Sequence, residues 1–342
     1  MACTQKKDAV LDPVIAEFLT ASGLVEADAF NATPLTGGVA SDIWKIITPT
    51  SSFVVKKALA RLRVSQEWNA PVSRNASEVE WLLVAGKAVS HSAPHILAHD
   101  PDKGVFAMDY LEPATNPVWK AELLRGRVDI QFASKLGEIL STIHSSTANR
   151  TEVSRRFAND EVFHSIRLEP YIEAIAHKHG DLSGQLFELS RQTLNTRKAL
   201  VHGDVSPKNI LMGANGPVLL DAECAWYGDP AFDLAFCLNH LLLKAVWNPA
   251  SAKDYALSFA ALTQRYLEGV DWEDRTIVEA RAALLLPALS LARVDGKSPV
   301  EYLTKETDIE FVRRNSRLLI KQRGASLSHI KHYWLTELSK HD

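Results

Sequence analysis

A chain of 342 residues is long enough for two lobes, each with its own core. Apolar residues make up 46% of it and charged residues 23%, which excludes a disordered or fibrous chain and fits a globular one. The formal net charge of −3 gives no broad electrostatic case for a nucleic-acid partner, yet leaves room for a local basic site.

The three cysteines, Cys3, Cys224 and Cys237, fit neither a disulfide framework nor a zinc site. Cys224 and Cys237 lie in apolar surroundings and read as small buried hydrophobes. A reducing cytoplasm is the expected compartment. The opening MACTQKKDAVLDP lacks the apolar centre of a signal peptide. The longest nearly apolar run, Ala282 to Ala292, is bounded by Arg281 and Arg293 and is too short to span a bilayer, so no membrane partner is expected.

In chain order, residues 9–24 read as a helix, with Val14, Ile15, Phe18 and Leu19 at helical spacing and Gly23 as the stop. Gly37-Gly38 then precedes an alternating segment, Ile43, Lys45, Ile47, and taken alone reads as a hairpin turn. Phe53 to Lys57 is a β-branched strand ending in two lysines, and alternation puts Lys56 and Lys57 on opposite faces, one of them toward solvent. Residues 74–85 read as a helix carrying Glu78 and Glu80. Two residues apart, these lie about 200° apart around the axis, so only one faces any given site. Val105 to Pro113 reads as a strand running into a connector, and taken alone as an edge strand ending at Pro113.

The pattern then turns helical. Phe132, Leu136, Ile139, Leu140 and Ile143 form one apolar stripe ending at His144, which reads as a buried or capping histidine. His177-Lys178-His179 before Gly180 reads as a solvated helix end. Residues 234–247, 255–268 and 276–293 read as helices, the last kinked by Pro287. The charged Gly/Pro loop after Ala292 is a place for a substrate pocket, which makes Arg293 a substrate-binding candidate. Arg313 and Arg314 read as a solvated helix face.

The most informative stretch is Leu200 to Glu223, LVHGDVSPKNILMGANGPVLLDAE. It reads as strand, acidic loop, strand and acidic exit, with Gly213 and Gly216 marking the turn. A hairpin of this kind brings Asp204, Asn209, Asp221 and Glu223 to one end. A lone His-Gly-Asp would be a polar turn; the full set fits phosphoryl transfer. That chemistry needs a carboxylate to orient the attacking hydroxyl and accept its proton, and hard oxygen ligands for Mg²⁺ on the nucleotide phosphates. Asp204 suits the first task, and Asn209, Asp221 and Glu223 suit the second. Four residues separate Asp204 from Asn209, the interval between base and ligand in kinase catalytic loops.

With its His-Gly-Asp, Asn209 and Asp221-x-Glu223, the stretch resembles the aminoglycoside phosphotransferase and choline kinase superfamily. The exit DAECAWYGDPAFD (221–233) and the segment VVKKALARLRVSQEW (54–68) resemble its 5-methylthioribose kinase branch more closely, with the departure that Glu67 and Trp68 are adjacent here. The Arg167 to Tyr171 stretch, with Pro170, also resembles some of these kinases, which implies a structural role, though Arg167 could face substrate.

The resemblance implies an α+β, protein-kinase-like two-lobe fold. Residues 1–112 would form a nucleotide-binding lobe with an antiparallel sheet, one key helix and the hinge; residues 113–342 would form a mostly helical catalytic and substrate-binding lobe. It further implies ATP and Mg²⁺ as cofactors. Gly37 and Gly38 would lie over the phosphates, Lys56 would hold them, and Glu78 would position Lys56. Met108, Asp109, Tyr110 and Leu111 would offer backbone groups to the adenine, and Asp233 would brace the catalytic loop if it is not simply a helix N-cap. The partner is a small-molecule hydroxyl substrate, and a homodimer is compatible with the sequence. A methylthioribose-like sugar leads among acceptors. An aminoglycoside follows, because residues 293–342 are mixed to basic and not acidic, and a choline-type amine comes third. A non-catalytic nucleotide-binding regulator is the alternative of another class, against which Lys56, Asp204, Asn209 and Asp221 all stand. Protein kinase activity lacks an Ala-Pro-Glu element.

Overall fold

The β-branched and aromatic runs before residue 110 form one antiparallel sheet. In this computed structural model, which describes residues 10–26, 29–35, 41–59 and 74–341, the strands are β1 (Asn31–Pro34), β2 (Ser41–Ile47), β3 (Ser52–Ala58), β4 (Ile96–Asp100) and β5 (Val105–Asp109), in the order β1-β2-β3-β5-β4. Gly37, Gly38, Glu67 and Trp68 lie outside the described residues. Helix α1 (Pro13–Ala21) begins where Asp12 accepts the Val14 N–H at 2.8 Å. It ends at Gly23, whose φ of +67° closes a turn from the Leu24 N–H back to the Leu19 carbonyl at 3.1 Å.

Strand alternation divides the sheet's two faces. Phe53, Val55, Val105 and Ala107 pack with Ile15, Phe18 and Leu19 of α1 in a small core. The opposite face presents Phe106, which joins Val79 and Leu82 of α2 (Arg74–Ala88) in the main core. Lys56 and Lys57 do point to opposite faces, but neither is simply solvated. Lys57 pairs with Asp12 at the start of α1, while Lys56 is only 3% exposed.

From residue 119 the chain is mainly helical: α3 (Trp119–Leu124), α4 (Ile130–Thr147), α5 (Thr151–Arg156) and α6 (Asp160–Phe163), a wide π-helical segment (His164–Glu173), α7 (Ala174–Lys178) and α8 (Ser183–Asn195). After the central loops follow α9 (Ala231–Trp247), α10 (Ala252–Glu268), α11 (Arg275–Asp295), α12 (Glu306–Gln322) and α13 (Leu327–Leu338). Helix α9 buries every residue from Ala231 to Val246, which its apolar run explains. Helix α11 continues past Pro287 to Asp295. Among the described residues no helix is long and apolar enough to cross a membrane.

The central stretch differs from expectation in its pairing. The hairpin is β7 (Ile210–Gly213) with β8 (Gly216–Leu219), turned at the anticipated glycines. The strand before the His-Gly-Asp, β6 (Ala199–Val201), pairs instead with β9 (Trp226–Gly228), beyond the acidic exit. A strand buried on all sides needs a partner that the short hairpin cannot reach, and the Trp226-Tyr227 segment supplies it. The loop and the exit are thereby closed into one unit.

The run His177-Lys178-His179 is a solvated helix end at His177 and Lys178, but His179 is buried. Asp295, at the end of α11, receives Lys178 at 2.6 Å, His179 at 2.9 Å and Arg313 at 2.8 Å. Burial alone would raise the Asp295 pKa, but Arg313 and Lys178 hold it down at about 2. Arg313 is therefore part of a buried ionic clamp on α11 and not a solvated helix face.

Candidate active site

The His202-Gly203-Asp204 loop is held from below. Gly203 has φ +79°, and a Cβ there would meet the Cys224 carbonyl oxygen at 2.8 Å, so glycine fits on both counts. The Asp233 carboxylate accepts the N–H groups of His202 at 2.7 Å and Gly203 at 2.8 Å. His144, bonded to the Tyr266 hydroxyl at 2.8 Å, backs Asp233 at 3.3 Å. Asp233 lies inside the first turn of α9, whose N-cap is Pro230, so it braces the loop and does not cap the helix. His202 accepts the Asp204 N–H on Nδ1 at 3.1 Å, and its Nε2 stands 3.1 Å from the Leu220 carbonyl. Burial keeps its pKa below the ordinary value, so it acts as a neutral strut donating from Nε2.

Asp204 sits between two cations. Arg167 Nη2 lies 3.0 Å and Lys208 Nζ 3.3 Å from its Oδ2. Burial works against the charge, but Lys208 and Arg167 prevail and hold the carboxyl well below the usual range. Arg167 also donates through Nε to the Gly203 carbonyl and through Nη1 to the Ile166 carbonyl at 2.7 Å. It is buried and committed to the loop. The π-helical segment that carries it brings it there.

Lys56, Glu78 and Asp221 form the second group. Lys56 Nζ lies 2.8 Å from Glu78 Oε2 and 2.9 Å from Oε1, and it also donates to Asp221. Glu80 faces away, to Arg156 at 3.1 Å, so Glu78 is the partner of Lys56. Burial opposes the Lys56 charge, but Asp221 and Glu78 raise its pKa well above the ordinary value. Burial pushes Glu78 up to about 7 against the pull of Lys56. Asp221 has φ +66°, a left-handed conformation that a non-glycine residue adopts only where surrounding contacts hold it.

Asn209 lies beneath Asp204, its amide nitrogen donating to the Asp204 carbonyl at 3.1 Å, which leaves Oδ1 as the atom that could meet a cation. The Leu220 N–H donates to the Asn209 carbonyl at 2.9 Å, tying the two acidic segments together. Glu223 is elsewhere engaged: its Oε2 takes Arg74 Nε of α2 at 2.9 Å. Among the described residues no three His, Cys, Asp or Glu side chains converge on one point. The donor set nonetheless suits Mg²⁺, which keeps most of its positions for water and phosphate and needs one or two protein oxygens. The ammonium of Lys56 on Asp221 shows that a cation is electrostatically matched at that carboxylate.

Met108 and Asp109 end β5, and the backbone of Tyr110 and Leu111 makes no hydrogen bond to the described residues. Lys45 lies over the Tyr110 ring at 3.7 Å. On the far side, a cavity of about 200 Å³ holds Asp204, Lys208, Lys244 and Arg293. Arg293 Nη1 reaches the Tyr171 hydroxyl at 3.1 Å and Ser298 Oγ at 3.0 Å. Lys208 and Lys244 were absent from the sequence candidates. A lysine inside the apolar run Leu241 to Val246 was the visible signal for the second.

A five-stranded sheet with a buried lysine–glutamate pair, joined to a helical lobe that carries a braced His-Gly-Asp loop, defines a protein-kinase-like two-lobe fold. The chain belongs to the phosphotransferase enzyme family, whose pattern matches residues 31–270. It is 28% identical over 229 residues to the methylthioribose kinase of Yersinia enterocolitica, covering 59% of this chain and 57% of that one. Over 222 residues it is 28% identical to the methylthioribose kinase of Erwinia tasmaniensis, covering 57% and 55%. The chain thus spans little more than half the length of these curated relatives. Among solved structures, the ethanolamine kinase of Plasmodium vivax superposes with a TM-score of 0.52 at 10% identity, covering 95% of this chain and 86% of that one. A putative fructosamine-3-kinase from Haemophilus somnus gives 0.51 at 15%, covering 90% and 96%. At these identities the likeness is one of fold.

Proposed function

We propose that the chain transfers the γ-phosphoryl group of ATP to a hydroxyl of a small molecule. The observation that carries this reading is Asp204, ionised and fixed at a basic cavity, with the Lys56–Glu78–Asp221 cluster in the same molecule to receive a nucleotide. Asp204 orients the acceptor hydroxyl. A carboxylate held this far down is a weak base, so it takes the proton only as the new P–O bond forms, which a loose transition state allows. Lys56 holds the nucleotide phosphates, and of residues 108–111 it is Tyr110 and Leu111, with no backbone bond to the described residues, that meet the adenine. Mg²⁺, when bound, offsets charge on the phosphate oxygens. Asn209 and Asp221 would hold it, and Glu223, whose Oε2 is bound to Arg74, would be a further oxygen donor through Oε1.

The names of the Yersinia and Erwinia relatives support a sugar-like acceptor. An aminoglycoside or amino alcohol is the second reading, supported by the ethanolamine kinase fold and opposed by the cationic cavity. The buried thiols of Cys224 and Cys237 suit a reducing cytoplasm.

Two variants test the assignment. Asp204→Ala should lower turnover roughly 10²–10⁴-fold while keeping Mg·ATP affinity near that of the parent in calorimetry. Asp221→Ala should instead weaken Mg·ATP binding itself. Undiminished turnover in the first variant would remove the base assignment; unchanged nucleotide affinity in the second would remove the metal role.

A further inference from the structure

The cavity beside Asp204 is short of negative charge. Its cations are Lys120, Lys208, Lys244 and Arg293, and its carboxylates are Asp204 and Glu301. Lys120 pairs with Glu301 and Lys208 with Asp204. Among the described residues Lys244 and Arg293 are left without a carboxylate. Lys244 is 1% exposed, and its ammonium meets only the face of Tyr302, 4.1 Å from the ring centre. Arg293 spends one nitrogen on Tyr171 and Ser298, while its Nε has no partner.

The same cavity collects unpaired polar atoms. Twelve buried side-chain nitrogens and oxygens lack a hydrogen-bond partner among the described residues, and four of them belong to residues that line this one space: Ser206 Oγ, His240 Nε2, Arg293 Nε and Tyr302 Oη. Each such group costs free energy unless something bonds it. Together, two uncompensated cations and three further idle polar atoms describe a site built around a polar ligand of negative charge.

Resting on the phosphotransferase reading, we propose that the acceptor is a small alcohol carrying an oxyanion, a carboxylate or a phosphate, which Lys244 and Arg293 bind while its hydroxyl meets Asp204. The volume agrees. A cavity of about 200 Å³ is below the ~300–1,000 Å³ of sites for drug-sized ligands, too small for a multi-ring aminoglycoside and right for a short hydroxy acid or sugar derivative. An amine acceptor would meet like charge. A neutral sugar would leave both cations uncompensated.

The charged and polar groups that act on Lys244 are Lys120, Glu301, Arg293, Tyr302 and His240. Burial first, then Lys120 and Arg293, lower its pKa to about 7, while burial keeps His240 neutral. Free Lys244 therefore loses its proton as pH rises through about 7, and a bound oxyanion restores it.

The test uses the full chain with saturating Mg·ATP and reads ADP release and Mg·ATP binding separately. Gluconate is compared with glucose and ribose 5-phosphate with ribose, alongside methylthioribose and ethanolamine. The expected result is release with one of the two anions, about tenfold or more above its neutral counterpart; which anion works tells carboxylate from phosphate. Lys244→Met, which keeps the apolar stem and removes a buried charge, should raise that acceptor's KM about tenfold with Mg·ATP binding unchanged. The parent's KM should also rise from about pH 6 to about pH 8.5, and this rise should vanish in Lys244→Met. Release that is as fast with ribose, methylthioribose or ethanolamine and indifferent to Lys244→Met overturns the proposal and leaves the kinase reading standing. Silence of both anions, in release and in thermal shift, overturns it too. Failure of the parent chain to bind Mg·ATP overturns the phosphotransferase reading, and this inference with it.

Discussion

Arg167 shows how a single side chain can set the chemistry of its neighbour. Its guanidinium holds the Gly203 carbonyl and, at 3.0 Å, the Asp204 carboxylate, so the loop's shape and the charge of its acid share one support. The folded-state pKa of Asp204 is depressed. Its contribution to stability is therefore present above the unfolded value of about 3.9 and is lost as pH falls through the lower folded value. Activity should accordingly show no acid limb from Asp204 near neutrality. Arg167→Met should move an acid limb upward in the pH profile of kcat/KM and cost about 3–5 kcal/mol of stability in urea, since it strips one partner from a buried ion pair. A pH profile that does not move would show that Lys208 alone keeps Asp204 ionised. The sequence offered Arg167 only as part of a motif of structural or substrate-facing meaning. No spacing rule places an arginine on a π-helical turn under a loop 36 residues away.

Elements divide into those whose periodicity reveals them and those that need tertiary partners. Helices α9 and α11 were legible because apolar runs announce buried helices, and the β7–β8 hairpin because Gly213 and Gly216 frame its turn. The pairing of β6 with β9 was not, because three-residue strands carry too little pattern to choose a partner. The choice between Glu78 and Glu80 was equally open: α2 carries apolar residues on both sides, Leu82 buried and Leu83 exposed, so apolar neighbours do not single out the site side, and Lys56 does so only in three dimensions. The loop beneath the hairpin depends on the chain Tyr266–His144–Asp233, drawn from α10, α4 and α9. Asp233→Asn keeps one acceptor oxygen but turns an amide donor toward either the His202 or the Gly203 N–H, and should cost about 1–3 kcal/mol for the N–H left unsatisfied. Tyr266→Phe, which removes a neutral hydroxyl that meets His144 at 2.8 Å and the Pro230 carbonyl at 3.3 Å, should cost about 0.5–1.5 kcal/mol. If the two variants unfold at the same urea midpoint, Asp233 is not the keystone of the loop.

At the scale of the whole molecule, the sheet is a wall shared by two cores. Phe53, Val55, Val105 and Ala107 face the small core under α1, while Phe106 faces the large one. Strand β3 reaches the helical lobe through the polar contact of Lys56 with Asp221, whereas α2 is packed into the large core through Val79, Trp81 and Leu82, with Arg74 to Glu223 and Arg156 to Glu80 as polar additions. The small core shares none of its buried apolar residues with the large one, so the α1 core can lose order while α9 and α11 keep theirs. Phe18→Ala removes a side chain that is 2% exposed from the small core and should cost about 3–5 kcal/mol there. Amide exchange should then quicken in α1 and in the strands β2 and β3, with protection in α9 and α11 unchanged. Mg·ATP bridges the lobes through Lys56 and Asp221 in the proposed site, so at a hundredfold excess over its Kd it should return about 2.7 kcal/mol and restore much of the lost protection. A uniform loss of protection across both lobes in Phe18→Ala would mean that the sheet transmits the defect and that the two cores fold as one.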